Sequence, residues 1–125
     1  MPTIESQKVE IWLRREATFY YIDQSDIQFP RDYAHVATLT GIEACEGYPN
    51  LSAVFKRSNN IDSTWIEADG VEVNEEGCAR YCFEGKWDGR GMRSSSVGDI
   101  FRPVGTGVTY EVAPSGFKRH FPQGA

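Results

Sequence analysis

From Lys8 to Arg14 the chain reads Lys-Val-Glu-Ile-Trp-Leu-Arg, which puts Val9, Ile11 and Leu13 on one side of an extended backbone and Trp12 on the other. Successive side chains of a strand point to opposite faces, so this period of two predicts a half-buried strand. The β-favouring run Phe19-Tyr20-Tyr21-Ile22 predicts a second, short strand. Pro30 has no amide hydrogen to give to a ladder and bars a central strand at that point. Residues 33–39, Tyr-Ala-His-Val-Ala-Thr-Leu, predict another strand that ends at Thr40-Gly41. The period then changes. Leu51, Val54, Phe55 and Ser58 fall at i, i+3, i+4 and i+7, one stripe of a helix. Asn50 can cap its first free amides, Lys56 and Arg57 suit the negative end of its dipole, and Asn59-Asn60 stops it. The main helix is expected at about residues 50–59.

Residues 67–92 show neither period. Acids come first, then Gly77, Gly85, Gly89 and Gly91 punctuate a stretch carrying Tyr81, Phe83 and Trp87, which reads as an insertion or an irregular loop with a short hairpin. Alternation returns at Val108, Tyr110 and Val112, between turns at Pro103–Gly107 and Ala113–Gly116, and Phe117 begins a last short element. Residues 119–125 are expected to fray. A chain of 125 residues is one domain by the usual prior of about 100–200. These elements predict a single α+β domain: a curled antiparallel sheet or small, partly open barrel with one main helix.

Charge changes the picture more than composition does. The net charge of −5 is unevenly placed, because residues 58–79 hold six acids and no base. Those acids are Asp62, Glu67, Asp69, Glu72, Glu75 and Glu76; residues 80–125 carry seven bases against four acids. Such acids often only solvate a loop or a sheet edge, but a row of carboxylates can also enter a basic groove in place of phosphates. The opposing set is basic. Arg90, Arg93 and Ser94–Ser96 could receive a phosphate or a nucleic-acid backbone, with Gly89 and Gly91 allowing close approach, and Arg102, Lys118 and Arg119 could extend the site with Trp87 as a stacking platform. Arg93 could equally hold Asp62 or Asp99 within the fold.

Motifs of catalysis are missing. No G-x-S-x-G, H-E-x-x-H, Walker or dinucleotide-binding fingerprint occurs. A small nuclease would have to recruit His120, Arg119 and a Glu, and an acidic chain is poorly steered to nucleic acid. No cofactor is expected. Three cysteines, Cys45, Cys78 and Cys82, cannot all pair within one chain. With His35 and His120 they could assemble a zinc site, but a second closely spaced ligand pair is missing, so free thiols are expected. His35 reads as an ordinary sheet residue. No run approaches the roughly 18 apolar residues of a membrane span, and Met1–Ser6 lacks a signal-peptide pattern, so a reducing, cytoplasmic setting is expected.

Two stretches occur in a recognisable order. Asn50-Leu51-Ser52-Ala53-Val54-Phe55-Lys56-Arg57-Ser58-Asn59-Asn60-Ile61-Asp62-Ser63-Thr64-Trp65 comes first; Arg93-Ser94-Ser95-Ser96-Val97-Gly98-Asp99-Ile100 follows, and Tyr110-Glu111-Val112-Ala113-Pro114-Ser115-Gly116-Phe117 closes the set. Over roughly residues 9–118 this resembles small prokaryotic domains related to the YodL-like domain, met in plasmid, phage and other mobile-element proteins. Such domains carry an N-x-I-D-x-x-W-like stretch after a helix, an R-S-x-S-V-G-D turn and a Y-x-V-x-x-x-G-F hairpin. The resemblance implies a fold and a gene context, no reaction and no cofactor. Residues 67–92 are not covered by it. Gene context and acidic segment together give the functional expectation: a non-catalytic interaction protein that inhibits a host defence complex, anti-CRISPR or antirestriction in type. Its partner would be a protein complex that handles nucleic acid, with neither a membrane nor a small molecule involved. The alternatives are a nucleic-acid or phospholigand module on the basic residues and, third, a small nuclease.

Overall fold

A computed structural model describes residues 4–46, 48–61 and 63–120. Its centre is β1 (Ile4–Arg14), which pairs antiparallel with β2 (Tyr33–Cys45) on one side and β5 (Ile100–Pro103) on the other. β6 (Thr109–Val112) and β7 (Phe117–His120) extend the β5 side. The far edge of β2 takes β3 (Tyr48–Pro49) and, separately, β4 (Val71–Val73). The sheet curls into a half-barrel around α1 (Leu51–Arg57) and α2 (Glu75–Tyr81), an α+β domain with a curled antiparallel sheet.

The two periods place the core. Val9, Ile11 and Leu13 are fully buried on one face of β1, and Val54 of α1 closes over them with Leu51 and Phe55 packed at its sides. Asn50 caps α1 by accepting from the Ala53 amide at 3.1 Å. Phe117 of β7 contacts Phe101 and Phe55, and Arg119 donates to the Tyr48 hydroxyl at 2.7 Å, so the last strand reaches across to the first edge. Arg119 and His120, expected in a frayed tail, are therefore strand residues; the rest of that tail lies outside the described residues.

Three expectations need correction. Phe19–Ile22 is not a strand: residues Glu16–Tyr20 form a 3₁₀ helix, tightened by Thr18, whose hydroxyl donates to the Arg15 carbonyl at 2.7 Å. A turn closed this soon after β1 leaves no sheet edge for Phe19 and Tyr20 to join. β2 does not stop at Thr40-Gly41 but runs to Cys45, with Gly41 taking a left-handed φ of 70° and a shift of register against β1 absorbing the irregularity. Residues 67–92 hold β4 and α2 rather than only loop. α2 is as long as α1 but carries only two apolar anchors, Cys78 and Tyr81, buried at i, i+3, and has Gly77 in its middle, so it shows no full stripe.

The motif stretches grip each other. Ser58 and Ser95 share a buried 2.6 Å hydroxyl bond, the Asn60 amide donates to Ser94 Oγ at 2.8 Å, and the Trp65 indole N–H donates to the Arg93 carbonyl at 2.9 Å. Beside them, Asp99 is buried and binds Arg93 through two bonds of 2.6 and 2.8 Å while accepting the amides of Arg14 and Ser96. Arg93 also donates from Nε to the Tyr81 hydroxyl at 2.9 Å. Gly98 turns the chain into this pair with a φ of 95°, and a Cβ there would meet the Arg14 side chain at 3.1 Å.

Where α2 meets β2 there is no room for a side chain. β1 pairs Ile11 with Ala37 and Trp12 with His35, so Val36 bulges out; its carbonyl accepts the Asn74 amide at 2.9 Å and the Cys78 thiol at 3.4 Å. A Cβ on Gly77 would lie 1.7 Å from the His35 carbonyl oxygen. Since that neighbour is backbone, Gly77→Ala is expected to push α2 off the sheet and cost about 1–3 kcal/mol or more. Urea denaturation measures it; a change under about 0.5 kcal/mol, the scatter of ordinary surface substitutions, would contradict this packing.

Candidate functional site

The acidic segment is built by the bulged edge of β2. Trp65, buried in the short 3₁₀ helix Trp65–Glu67, anchors its start and leaves Glu67 and Asp69 exposed on the following turn. Arg57 and the Thr40 amide both donate to the Gly70 carbonyl, at 3.2 and 2.8 Å, and swing the chain into β4. Glu72 sits opposite Thr38 at the open edge. Asn74 then spends its side-chain amide on the His35 carbonyl at 2.7 Å and starts α2, whose first turn carries exposed Glu75 and Glu76. Five of the six predicted acids therefore lie exposed along one edge; Asp62 lies outside the described residues. Glu72 meets Lys8 at 3.3 Å, with both side chains more than half exposed, a pair worth about 0–1 kcal/mol. Among the described residues the other four make no ion pair.

The predicted basic set is not brought together. Arg93 gives its donors to Asp99, Tyr81 and the carbonyls of Ser94 and Arg14, a role within the fold. Arg102 donates to Glu10 at 2.7 Å and lies over the Trp12 ring on the face of the sheet away from the core. Lys118 and Arg119 are neighbours on β7 and so point to opposite faces. Arg90 is exposed on a loop near Trp87, whose indole N–H is bound to the Gly91 carbonyl at 2.7 Å.

That outer face holds two features the sequence reading did not assemble. His120, facing Thr109 across the ladder, bonds Glu111 at 3.1 Å in a cleft of about 810 Å³ that Arg102, Tyr33, Phe29 and Gln28 also line. A nuclease would join His120, Arg119 and a Glu; Glu111 does lie at His120, but alternation sends Arg119 through to the other side, toward Tyr48. Along the same face, His35 stacks on Trp12 with centroids 5.2 Å apart and bonds Thr38 at 2.9 Å, the bulge having placed both on one side. The signal was the alternation of Thr109 and Glu111 against Tyr110 and Val112, which fixes which face His120 joins once the hairpin register is known.

The cysteines are free, Cys78 buried and Cys45 exposed, and burial pushes the Cys78 thiol up to about 12. Among the described residues no group of three His, Cys, Asp or Glu side chains converges as a metal site would require, and no helix is long and apolar enough to cross a membrane. Comparison of the chain with protein-family models, with curated proteins and with solved structures finds no match.

Half-buried His35 and buried Asp32 lead the acid response. Burial holds the His35 imidazole below its ordinary 6.5, against the nearby Glu10 carboxylate that draws it up. Asp32, buried, is held down at about 2 by the Arg31 guanidinium first, with the Gln28 amide and Tyr21 hydroxyl adding to it against burial. Both folded-state values lie below the unfolded ones, so both contributions are complete above the unfolded values and vanish as pH falls. Stability is expected to fall above about 9, where the Cys78 thiol keeps its proton only in the folded chain, to hold steady between about 9 and 6.5, to decline below that, and to fall again from about 3.8 toward 2. Urea midpoints across pH check this: His35→Gln should remove the first decline and Asp32→Asn should reduce the second, to which Glu10 and Asp23, also held below their ordinary values, add; an unchanged first decline in His35→Gln would contradict the assignment.

Proposed function

We propose that this chain is a non-catalytic interaction protein whose acidic edge, Glu67 to Glu76, docks on a basic surface of a protein partner. The observation that carries the reading is the contrast between the two charged sets. Among the described residues, four exposed carboxylates without an ion-pair partner and a weakly paired fifth share one edge, while the basic residues are spent on the fold or scattered. Uncompensated exposed charges steer association and cost little to desolvate at a rim, which suits docking. The resemblance to mobile-element domains supports a finer reading, in which the partner is a host defence complex whose groove normally takes nucleic acid. Carboxylates can occupy such a groove because its lysines and arginines bind oxygen anions with little regard to the atom that carries them.

Reversing Glu72, Glu75 and Glu76 to Lys tests this. All three are exposed, so the fold should survive, as a thermal melt would show. Capture from source-cell lysate with wild-type bait is expected to retain a salt-sensitive protein partner that the reversed protein loses. Binding that survives the reversal but fails in a folded Arg90→Ala, Lys118→Ala protein would overturn the acidic reading in favour of the basic one.

A further inference from the structure

Phe19, Tyr20 and Phe83 put three exposed rings at one place, and fully exposed Ile22 follows two residues after Tyr20. Phe19 is 52% exposed, Tyr20 78%, Phe83 65% and Ile22 fully so, and the Tyr20 and Phe83 rings meet edge to face at 5.6 Å although they come from segments some sixty residues apart. Scattered exposed apolar residues are ordinary, but a contiguous cluster marks an interaction surface. This one is also held still. The Phe83 amide donates to Glu16 at 3.0 Å, Arg15 donates to the Arg80 carbonyl at 2.9 Å, and the Arg14 and Arg93 guanidinium groups lie 5.2 and 5.5 Å from the centre of the Phe19 ring. Rings fixed before binding lose little entropy on contact, the property of an interface anchor.

We infer that Phe19, Tyr20, Ile22 and Phe83 form the apolar anchor of the docking surface, taken by a basic protein face that carries aliphatic or aromatic side chains. Charge complementarity selects that occupant: residues 67–88 hold seven carboxylates and two bases, and one of those bases, Arg80, is turned onto the carbonyls of Tyr33 and Arg31. The ridge begins just past the C-terminal end of α2 while Glu75 and Glu76 sit at its other end, about 10 Å away for seven residues of helix, so one partner covers both. Beside the ridge a cavity of about 460 Å³ is lined by Glu16 and Asp88 together with Lys86 and Arg93, so the ridge itself is close to neutral and the acidic selection comes from the start of α2. The acidic start of α2 repels nucleic acid, so a partner that covers both parts is a protein. The inference rests on the acidic-edge reading.

Two synthetic peptides of equal length and charge test it, one of Lys and Leu and one of Lys and Ser, titrated into the ¹⁵N-labelled full chain. The Lys/Leu peptide is expected to bind at least tenfold tighter and to shift the amides of Tyr20, Ile22 and Phe83. Tyr20→Ser with Phe83→Ser, both exposed and so expected to fold normally by thermal melt, should bring it down to the Lys/Ser level, whereas Glu75→Lys with Glu76→Lys should weaken both peptides alike. Equal binding of the two peptides to the wild-type chain overturns the anchor and leaves the acidic edge standing; binding of neither overturns both. A Lys/Leu advantage that survives the double serine substitution places the anchor elsewhere. Self-association in sedimentation that the same substitution abolishes would give the ridge to a second copy of the chain, and tighter binding of single-stranded DNA than of either peptide would give the surface to nucleic acid; each result overturns the proposal.

Discussion

Asp99 is the point through which the ends of four elements are tied. Its carboxylate takes two bonds from Arg93 and one each from the amides of Arg14, at the end of β1, and Ser96, in the turn before β5. Arg93 passes the connection on to Tyr81 at the end of α2 and to the Arg14 carbonyl, while its own carbonyl holds Trp65. A buried ion pair adds little net stability over an apolar replacement, but loss of one partner strands the other charge and costs about 3–5 kcal/mol. The pair therefore specifies an arrangement more than it stabilises one. Its bonds fix the end of β1, the turn that leads into β5 and, through Arg93, the end of α2.

From that node the surface follows. With the end of α2 set by Tyr81 and its start set by Asn74 on the bulge of β2, the helix has one position against the sheet, and Gly77 makes the contact flush. The acidic turn then lies at one end of α2 and Phe83 just beyond the other. Arg15, bonded to the Arg80 carbonyl, and Glu16, bonded to the Phe83 amide, bring the 3₁₀ helix alongside, which is why Tyr20 and Phe83 meet. Placement of the exposed rings and of the carboxylates thus shares one origin in the buried polar network.

How much of this was legible in the sequence depends on the range of the interactions. The core face of β1, the cap and stripe of α1 and the final hairpin are local patterns, and each was readable from neighbouring residues. The bulge at Val36 was not, because it is defined only against β1. The helix α2 was hidden for a similar reason: Gly77, unfavourable inside a helix by about 1 kcal/mol against Ala, is there because a carbonyl from residue 35 leaves no room for anything larger. Phe19 to Ile22 misled outright, since strand propensity reflects fit to a pleated surface and no such surface is offered to them. The acidic residues were visible as charge, and their exposure followed. Arg93 looked equally fit for a phosphate or for Asp99, and only the three-dimensional arrangement shows its donors already engaged.

Native-state hydrogen exchange at the amides of Arg14 and Ser96, in the wild-type chain and in Asp99→Asn, tests most directly whether this node governs the fold. In the wild type both amides should open only with global unfolding, because their acceptor is buried and its loss releases β1, α2 and β5 together. In Asp99→Asn they should exchange far faster, and the amides of α2 should lose protection with them. Exchange of Arg14 and Ser96 at the rates of exposed loops in the wild type, or undiminished protection of α2 in Asp99→Asn, would contradict the account.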